Sequence, residues 1–107
     1  MRIQFLWYPD CPSHPQAREM LARTLTELDV EATVEEICIR DWEQARVHRF
    51  PGSPTFRING VDIDEGGAAA MGVALTCRTY DRPDSGFGPL PGKGQLTNAI
   101  RRAANLN

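Results

Sequence analysis

An apolar run near the N-terminus, followed at once by closely spaced prolines and a one-faced helix, constrains the fold of this chain most. Residues 3–8 are β-branched and aromatic with almost no polar break, which predicts a strand covered on both faces. Pro9 is the first of three prolines at three-residue spacing, and these end the strand because proline donates no backbone hydrogen bond. From Ala17 to Leu28 the apolar positions recur at intervals of three and four, which predicts an amphipathic helix.

The rest of the chain contains five further segments with a strand or helix pattern. They are a strand (31–39), a short helix with a capping pair at its start (41–49), two hairpin strands (55–58 and 61–63) and a closing helix (95–106). Asn59-Gly60 is the strongest short signal for a hairpin, because both residues accept the backbone angles of a tight turn. The chain from 50 to 54 is predicted as a loop.

This order of elements predicts an α/β fold in one domain spanning residues 1–107. Two parallel strands joined by a right-handed crossover, then a hairpin, make a mixed four-stranded sheet with helices on both faces. Residues 65–92 have weak periodicity, with Gly66-Gly67, an alanine-rich piece and a tail dense in proline and glycine. We expect them to form an irregular insertion before the C-terminal helix.

Charge and composition exclude several classes of function. The net charge is −2 and the longest cationic run is Arg101-Arg102, so no nucleic-acid partner is expected. No apolar stretch is long enough for a membrane helix, and the N-terminus lacks the features of a signal peptide. A cytoplasmic location is therefore expected. In that reducing compartment the three cysteines are more often catalytic, metal-binding or inert than bridged.

Neither a metal site nor a bound cofactor is expected. The sequence contains no Cys-x-x-Cys, His-x-Glu or His-x₃-His spacing, and no glycine-rich phosphate loop follows a strand. The chemistry-bearing residues instead gather in two short motifs. One is Tyr-Pro-Asp-Cys-Pro-Ser-His at 8–14, between the first strand and the first helix, and the other is Ser53-Pro54-Thr55, directly before the hairpin.

At these two points the chain resembles the thioredoxin-like superfamily in its small, glutaredoxin-sized, bacterial-type form. The resemblance covers most of the chain except about 65–92. It implies a three-layer thioredoxin-like fold, a redox-active Cys11 and a cis peptide bond at Pro54 lying against Cys11. His14 stands where the family pattern has its second cysteine, as in monothiol variants, so the ordinary dithiol mechanism would need another partner.

The residues around Cys11 have defined chemical possibilities. A helix N-terminus favours the thiolate, which is the reactive form of cysteine. His14 is expected as a neutral hydrogen-bond donor or as a solvated residue of the first turn. Asp10 opposes thiolate formation if charged, relays a proton, or is a solvated turn residue. Ser13 is expected to cap the helix, with Gln16 at capping-box spacing; a start at Cys11 with Pro12 is the competing possibility.

The resemblance also implies a place for the substrate. In the family, the backbone beside the cis-proline pairs with an extended thiol or peptide, which here means Ser53 and Pro54. Tyr8 is expected to line the same cleft, with core packing as its alternative. The expected partner is a small thiol or a protein disulfide, and the sequence leaves the oligomeric state open.

Cys77 is the candidate for the resolving thiol. The fourth strand returns to the edge of the sheet where Cys11 lies, so the segment 65–92 leaves from beside Cys11 and could carry Cys77 to it. Flexibility at Gly66-Gly67 would permit that approach. The alternative is that Cys77 is one apolar residue of a short extra strand or turn. Cys38 is expected to be structural, buried on a strand covered from both sides.

Three functions remain open from the sequence. The first is a thiol–disulfide oxidoreductase acting through Cys11, with Cys77 as its candidate partner. The second is thiol-based handling of a soft metal or an organomercurial, because the Tyr-Pro-Asp-Cys-Pro motif also resembles, distantly, alkylmercury (organomercurial) lyases, with Cys11, Cys77 and Asp10 as the matching residue types. The third is a non-enzymatic thioredoxin-like adaptor.

Overall fold

The computed structural model describes residues 1–83 and 86–105, and within them strands and helices alternate through the first half of the chain. In chain order the elements are β1 (Arg2–Trp7), α1 (His14–Leu28), β2 (Thr33–Cys38), α2 (Trp42–Val47), β3 (Pro51–Ser53), β4 (Thr55–Ile58), β5 (Val61–Asp62), α3 (Glu65–Met71), β6 (Ala74–Cys77), β7 (Tyr80–Arg82), β8 (Gly86–Gly88) and α4 (Lys93–Ala103).

The main sheet has four strands in the order β2–β1–β4–β5. β1 is parallel to β2 and antiparallel to β4, and β4 is antiparallel to β5, so the predicted mixed sheet is confirmed. The hairpin turns at Asn59 and Gly60, whose φ angles of 51° and 86° are both positive. The sequence signal at this turn therefore has its expected backbone geometry.

Side chains from β1 enter cores on both faces of the sheet. Ile3 and Phe5 belong to a buried cluster with residues of α1 and α4, including Leu21 and Leu96. Leu6 points to the opposite face and packs in a second cluster that includes Ala45 of α2. The alternation of strand side chains places α1 and α4 on one face and α2 on the other. The prediction that β1 is covered on both sides is confirmed.

The prediction that the second strand is covered on both faces is wrong. β2 lies at the edge of the main sheet, its first four residues are exposed, and Cys38 at its end is only partly buried. The reason is that β2 has one neighbouring strand, and half of its residues are polar or charged. Cys38 is therefore not the fully buried thiol that the Ile-Cys-Ile run suggested.

The segment 65–92 is more regular than the sequence predicts. Asp64 caps α3 by accepting a hydrogen bond at its Oδ1 from the backbone N–H of Gly67, 3.1 Å away, and the alanine-rich piece continues the helix. β6 then pairs with β3, which lies where a loop was expected, and β7 pairs with β8. Residues 84 and 85 of this segment, and residue 106 of the predicted last helix, lie outside the described part of the chain.

Within residues 1–83 and 86–105, no helix has both the length and the apolar character that a membrane crossing needs.

Candidate functional site

Cys11 and Cys77, which are 66 positions apart in sequence, are joined by a disulfide bond, and their Cα atoms are 5.3 Å apart. The pairing that was predicted from the order of the strands is present in the structure. Cys11 lies two residues before Ser13, the N-cap residue of α1, and its backbone N–H donates to the carbonyl of Tyr8 (3.1 Å). Cys11 is 1% exposed, whereas Cys77 is only partly buried.

Strand pairing, rather than a flexible glycine hinge, brings Cys77 to this position. β6 runs parallel to β3, with Ala74 opposite Pro51 and Cys77 opposite Ser53. The backbone N–H of Ala74 donates to the carbonyl of Phe50 at 2.8 Å, before β3 begins. Gly66 and Gly67 lie inside α3 and provide no hinge. The sequence thus indicates the right cysteine but not the strand pairing that positions it.

The Ser53–Pro54 peptide bond is cis, as predicted, and it lies against the disulfide. Ser53 is fully buried, and its carbonyl oxygen is 3.5 Å from Sγ of Cys11. Its hydroxyl accepts a hydrogen bond from the backbone N–H of Tyr8 (3.0 Å). Ser53 therefore connects the end of β1 to the residue pair that contains the cis bond.

The edge that was expected to receive an extended substrate is occupied in this oxidised state. The carbonyl of Ser53 accepts a hydrogen bond from the backbone N–H of Arg78 at 2.8 Å, directly after Cys77. β6 thus covers the outer side of β3 as an added strand would. Binding of a substrate at Ser53 and Pro54 stays a prediction, and it would need a change at this pairing.

Ser13 is the N-cap residue of α1 but does not form the predicted capping box. Its backbone has φ −83° and ψ −9°, rather than the extended angles of most N-cap residues, and its side chain caps no backbone N–H. The Ser13 Oγ instead lies 3.2 Å from Sγ of Cys11. A disulfide sulfur carries no hydrogen, so the hydroxyl is the donor in this contact.

His14 packs against Trp7 rather than pointing into solvent. The two ring centroids are 4.5 Å apart with an interplanar angle of 36°, and Nδ1 of His14 is buried without a hydrogen-bond partner. His14 occupies the first position of α1, as the sequence indicated. Its predicted role as a donor to the thiol stays a prediction.

Asp10 and Tyr8 form a pair at the rim of the site. The Tyr8 hydroxyl donates to Oδ2 of Asp10 at 2.9 Å. This hydrogen bond, helped by partial burial and by the carboxylate charge, raises the pKa of Tyr8 above its usual value. The expected chemistry of Asp10 toward Cys11 stays a prediction, and its carboxylate already has a partner.

Arg78 is a structural residue of this site that no sequence pattern indicates. It is 1% exposed, and its Nη1 and Nη2 donate to Oδ2 and Oδ1 of Asp62 at 2.7 and 2.8 Å. Burial by itself lowers the pKa of Arg78, but the hydrogen bond to Asp62 and nearby negative charges raise it above its usual value overall. No sequence signal could have paired these residues, because their sixteen-position separation matches no recurring motif.

Three further contacts fix the chain on either side of this ion pair. Nη1 of Arg78 also donates to Oγ1 of Thr55 at 3.2 Å, and Thr55 donates to the carbonyl of Gly52 at 2.7 Å. The Tyr80 hydroxyl donates to the carbonyl of Pro54 at 2.7 Å. Burial raises the pKa of Tyr80 far above its usual range, although the nearby Arg78 charge opposes this shift. The residues just after Cys77 are thus bonded to both sides of the cis peptide.

Gly52 allows the two strands to approach closely. Its φ angle is +112°, and a Cβ atom built there would lie 2.8 Å from the Cα of Arg78. Real Cβ atoms essentially never come this close to backbone, so a larger residue would push β6 away from β3.

The described residues contain no group of three or more His, Cys, Asp or Glu side chains placed to hold a metal ion. In the reduced protein, Cys11 and Cys77 would be two soft ligands at this site. No family model, no curated protein and no solved structure matches this chain.

Proposed function

We propose that this protein is a cytoplasmic thiol–disulfide oxidoreductase of the thioredoxin or glutaredoxin type, with Cys11 and Cys77 as its redox couple. The single observation that carries the proposal is the bond between a cysteine at the start of a helix and one held beside the cis Ser53–Pro54 peptide. Disulfides in reducing compartments are mostly transient and catalytic, which agrees with a working couple rather than a structural bridge.

The proposed thioredoxin-like fold has support from the sheet. Its central strand β1 leads to the cysteine, and β4 begins directly after the cis-proline in the antiparallel half. The order β2–β1–β4–β5 brings the ends of β1 and β4 that carry these two motifs together, with Leu6 opposite Thr55.

The surroundings of Cys11 favour its thiolate in the reduced state. The N-terminus of a helix carries partial positive charge and unpaired N–H groups. The Ser13 hydroxyl, which now contacts the sulfur, can donate to a thiolate more strongly than to a disulfide. Cys11 is therefore suited to alternate between the bridge and a stable thiolate.

The support around Arg78 keeps the second thiol within reach. Because the residue after Cys77 is bonded to Ser53 by its backbone and to Asp62 by its side chain, Cys77 stays close to Cys11 after the bond is reduced. Cys77 on β6 is thus the partner of Cys11, in place of the second cysteine that the family pattern has at position 14.

Turnover of a disulfide substrate tests the proposal. The reduced protein should accelerate the reduction of insulin disulfides by dithiothreitol, and mild oxidation should yield a Cys11–Cys77 bridge by mass spectrometry. Cys11→Ser and Cys77→Ser should abolish or strongly reduce turnover, whereas Cys38→Ser is the matched control and should retain it. Oxidation that yields only Cys11 dimers or glutathione adducts, or turnover that survives both substitutions, would contradict the proposal.

A second candidate, binding of a soft metal, is favoured by the same juxtaposition of two thiols. Two thiolates suit soft ions such as mercuric ion. The organomercurial-lyase resemblance also implies a carboxylate, for which Asp10 is the candidate. In the structure that carboxylate accepts a hydrogen bond from the Tyr8 hydroxyl. Mercuric binding with a stoichiometry of two thiols and no disulfide turnover would favour this function. If the protein shows neither disulfide turnover nor mercuric binding, the non-enzymatic adaptor is the remaining hypothesis.

A further inference from the structure

We propose that an external thiol enters the Cys11–Cys77 bond at Sγ of Cys77 and that Cys11 departs as the thiolate. The inference rests on the proposed function, because it assigns unequal roles to the two sulfurs of that couple. Two observations carry it: the difference in access to the two sulfurs and the difference in their suitability as leaving groups.

Access favours Cys77. An attacking thiolate approaches a disulfide sulfur from the side opposite the bond that breaks, so it needs open space there. Cys11 is 1% exposed, and its sulfur touches Ser13 and Ser53, which are themselves 6% and 0% exposed. Cys77 is partly exposed and follows the exposed Thr76 on β6. Of the two cysteines, Cys77 is therefore the one more open to a thiol in solution.

The relative stability of the two thiolates also favours attack at Cys77 and departure of Cys11. The sulfur that departs more readily is the one whose thiolate is better stabilised. Cys11 has the start of α1 and the Ser13 hydroxyl beside it. Cys77 has a cationic neighbour, Arg78, but that guanidinium is already in a bidentate ion pair with Asp62. Expulsion of Cys11 is accordingly the easier cleavage of this bond.

The exchange balances in two steps. A thiolate forms a new S–S bond to Cys77 while the Cys11–Cys77 bond breaks, and Cys11 leaves with the electron pair. A second thiolate attacks the external sulfur of this mixed disulfide, releasing the Cys77 thiolate and a new external disulfide. Two external thiols are oxidised and the protein disulfide is reduced.

The reverse reaction follows the same path. When the dithiol reduces a substrate disulfide, Cys77 forms the mixed disulfide and the Cys11 thiolate then attacks Sγ of Cys77. These roles are exchanged relative to those that the thioredoxin-like resemblance implies, in which Cys11 is the first nucleophile.

Mapping the mixed disulfide tests the inference. Oxidised protein is mixed with excess glutathione, quenched with acid at a series of early times, alkylated and digested with trypsin, which places the three cysteines on separate peptides. Glutathione should be on Cys77 in at least tenfold excess over Cys11 when extrapolated to zero time. Glutathione mainly on Cys11, or equally on both, would overturn the inference.

Cyanide provides an independent measurement, since it cleaves a disulfide and leaves a thiocyanate on the attacked sulfur. With iodoacetamide present to alkylate the released thiolate, the thiocyanate should be found on Cys77. The same reaction in concentrated urea is the control, because unfolding exposes both sulfurs and should bring the two products close to parity. A preference that persists in urea, or a thiocyanate on Cys11 in the native protein, would contradict the inference.

The two proposals fail separately. Loss of insulin turnover in the unsubstituted protein would remove the oxidoreductase function, whichever cysteine is attacked. Glutathione on Cys11 together with normal turnover would leave the function in place and remove only the assignment of Cys77 as the point of entry.

Discussion

Asp62 accepts two hydrogen bonds from Arg78, at 2.7 and 2.8 Å, and this buried ion pair fixes the residue that follows Cys77. The side chain of Asp62 is 8% exposed and that of Arg78 is 0% exposed. The pair connects β5, which ends the main sheet, to the segment that leaves β6. The ion pair therefore fixes Cys77 relative to the main sheet.

Removing one member of this pair should be strongly destabilising. Arg78→Met keeps most of the side-chain volume but leaves Asp62 as a buried charge without its partner, so the free energy of unfolding should fall by about 3–5 kcal/mol. The double variant Asp62→Leu with Arg78→Met should recover much of that loss. Urea unfolding of the oxidised proteins measures both, and a single-variant loss below about 1 kcal/mol would show that the pair is not structural.

Gly52→Ala should cost more stability than Gly60→Ala. Both residues have positive φ angles, which penalise any residue with a Cβ by about 1 kcal/mol. A Cβ at 52 would also collide with the backbone of Arg78, whereas a Cβ at 60 would meet open space. The difference between the two variants in urea unfolding isolates the collision. Equal losses would mean that the close approach of β3 and β6 is unimportant.

Ser13→Ala should make the Cys11–Cys77 bond harder to reduce. The hydroxyl of Ser13 stabilises the thiolate more than the disulfide, and a hydrogen bond to a charged group contributes about 1.5 kcal/mol or more. The equilibrium constant for reduction by glutathione should therefore fall about tenfold. Ser13→Thr retains a hydroxyl and is the matched control. An unchanged equilibrium in Ser13→Ala would assign the contact to packing alone.

Stability should decline in alkali because of Tyr80. Its pKa is raised in the folded protein, so above about pH 10 the unfolded chain loses a proton that the folded protein keeps. The stabilising contribution is complete well below pH 10 and falls by about 1.4 kcal/mol in all between pH 9 and pH 11, as the tyrosine of the unfolded chain ionises. Urea unfolding of the oxidised Cys38→Ser protein between pH 9 and 11 measures the slope. Tyr80→Phe should reduce it by this amount, and an identical slope in both proteins would contradict the assignment.

The disulfide itself should stabilise the fold. In the chain-entropy account, closing a loop of 66 positions stabilises by about 4 kcal/mol. Oxidised protein should accordingly melt at a higher temperature than reduced protein, and Cys77→Ser should melt alike in both states. Equal melting temperatures for oxidised and reduced protein would show that the bond is offset by strain or by structure in the unfolded chain.

The predictable part of this protein is the part determined by local pattern. The sequence contains a signal for each strand of the mixed sheet and for the Asn59-Gly60 turn, so both could be predicted even though β1 and β4 are far apart in the chain. The cis bond at Pro54 and the Cys11–Cys77 pairing were accessible through the resemblance and the direction of the strands.

The rest depends on tertiary contacts that no pattern in the sequence indicates. The pairing of β3 with β6 has no periodic signal, because both strands are short and one is Pro-Gly-Ser. Arg78 belongs to a type that is seldom fully buried, and its contacts with Asp62 and Thr55 explain why it is buried here. The exposed edge position of β2, similarly, follows from the assembled sheet and not from its Ile-Cys-Ile end.

The contacts around the cis peptide join two four-residue segments, 52–55 and 77–80. Together these two quartets form a sequence pattern that can be searched for in other chains. Gly-Ser-Pro-Thr at 52–55 leaves room for the backbone of Arg78 and supplies acceptors to its side chain and to Tyr80. Cys-Arg-Thr-Tyr at 77–80 supplies the matching donors and the second sulfur. Chains that share this architecture should therefore carry both quartets together, with an aspartate shortly after the first, and a chain with only one should lack the bridge.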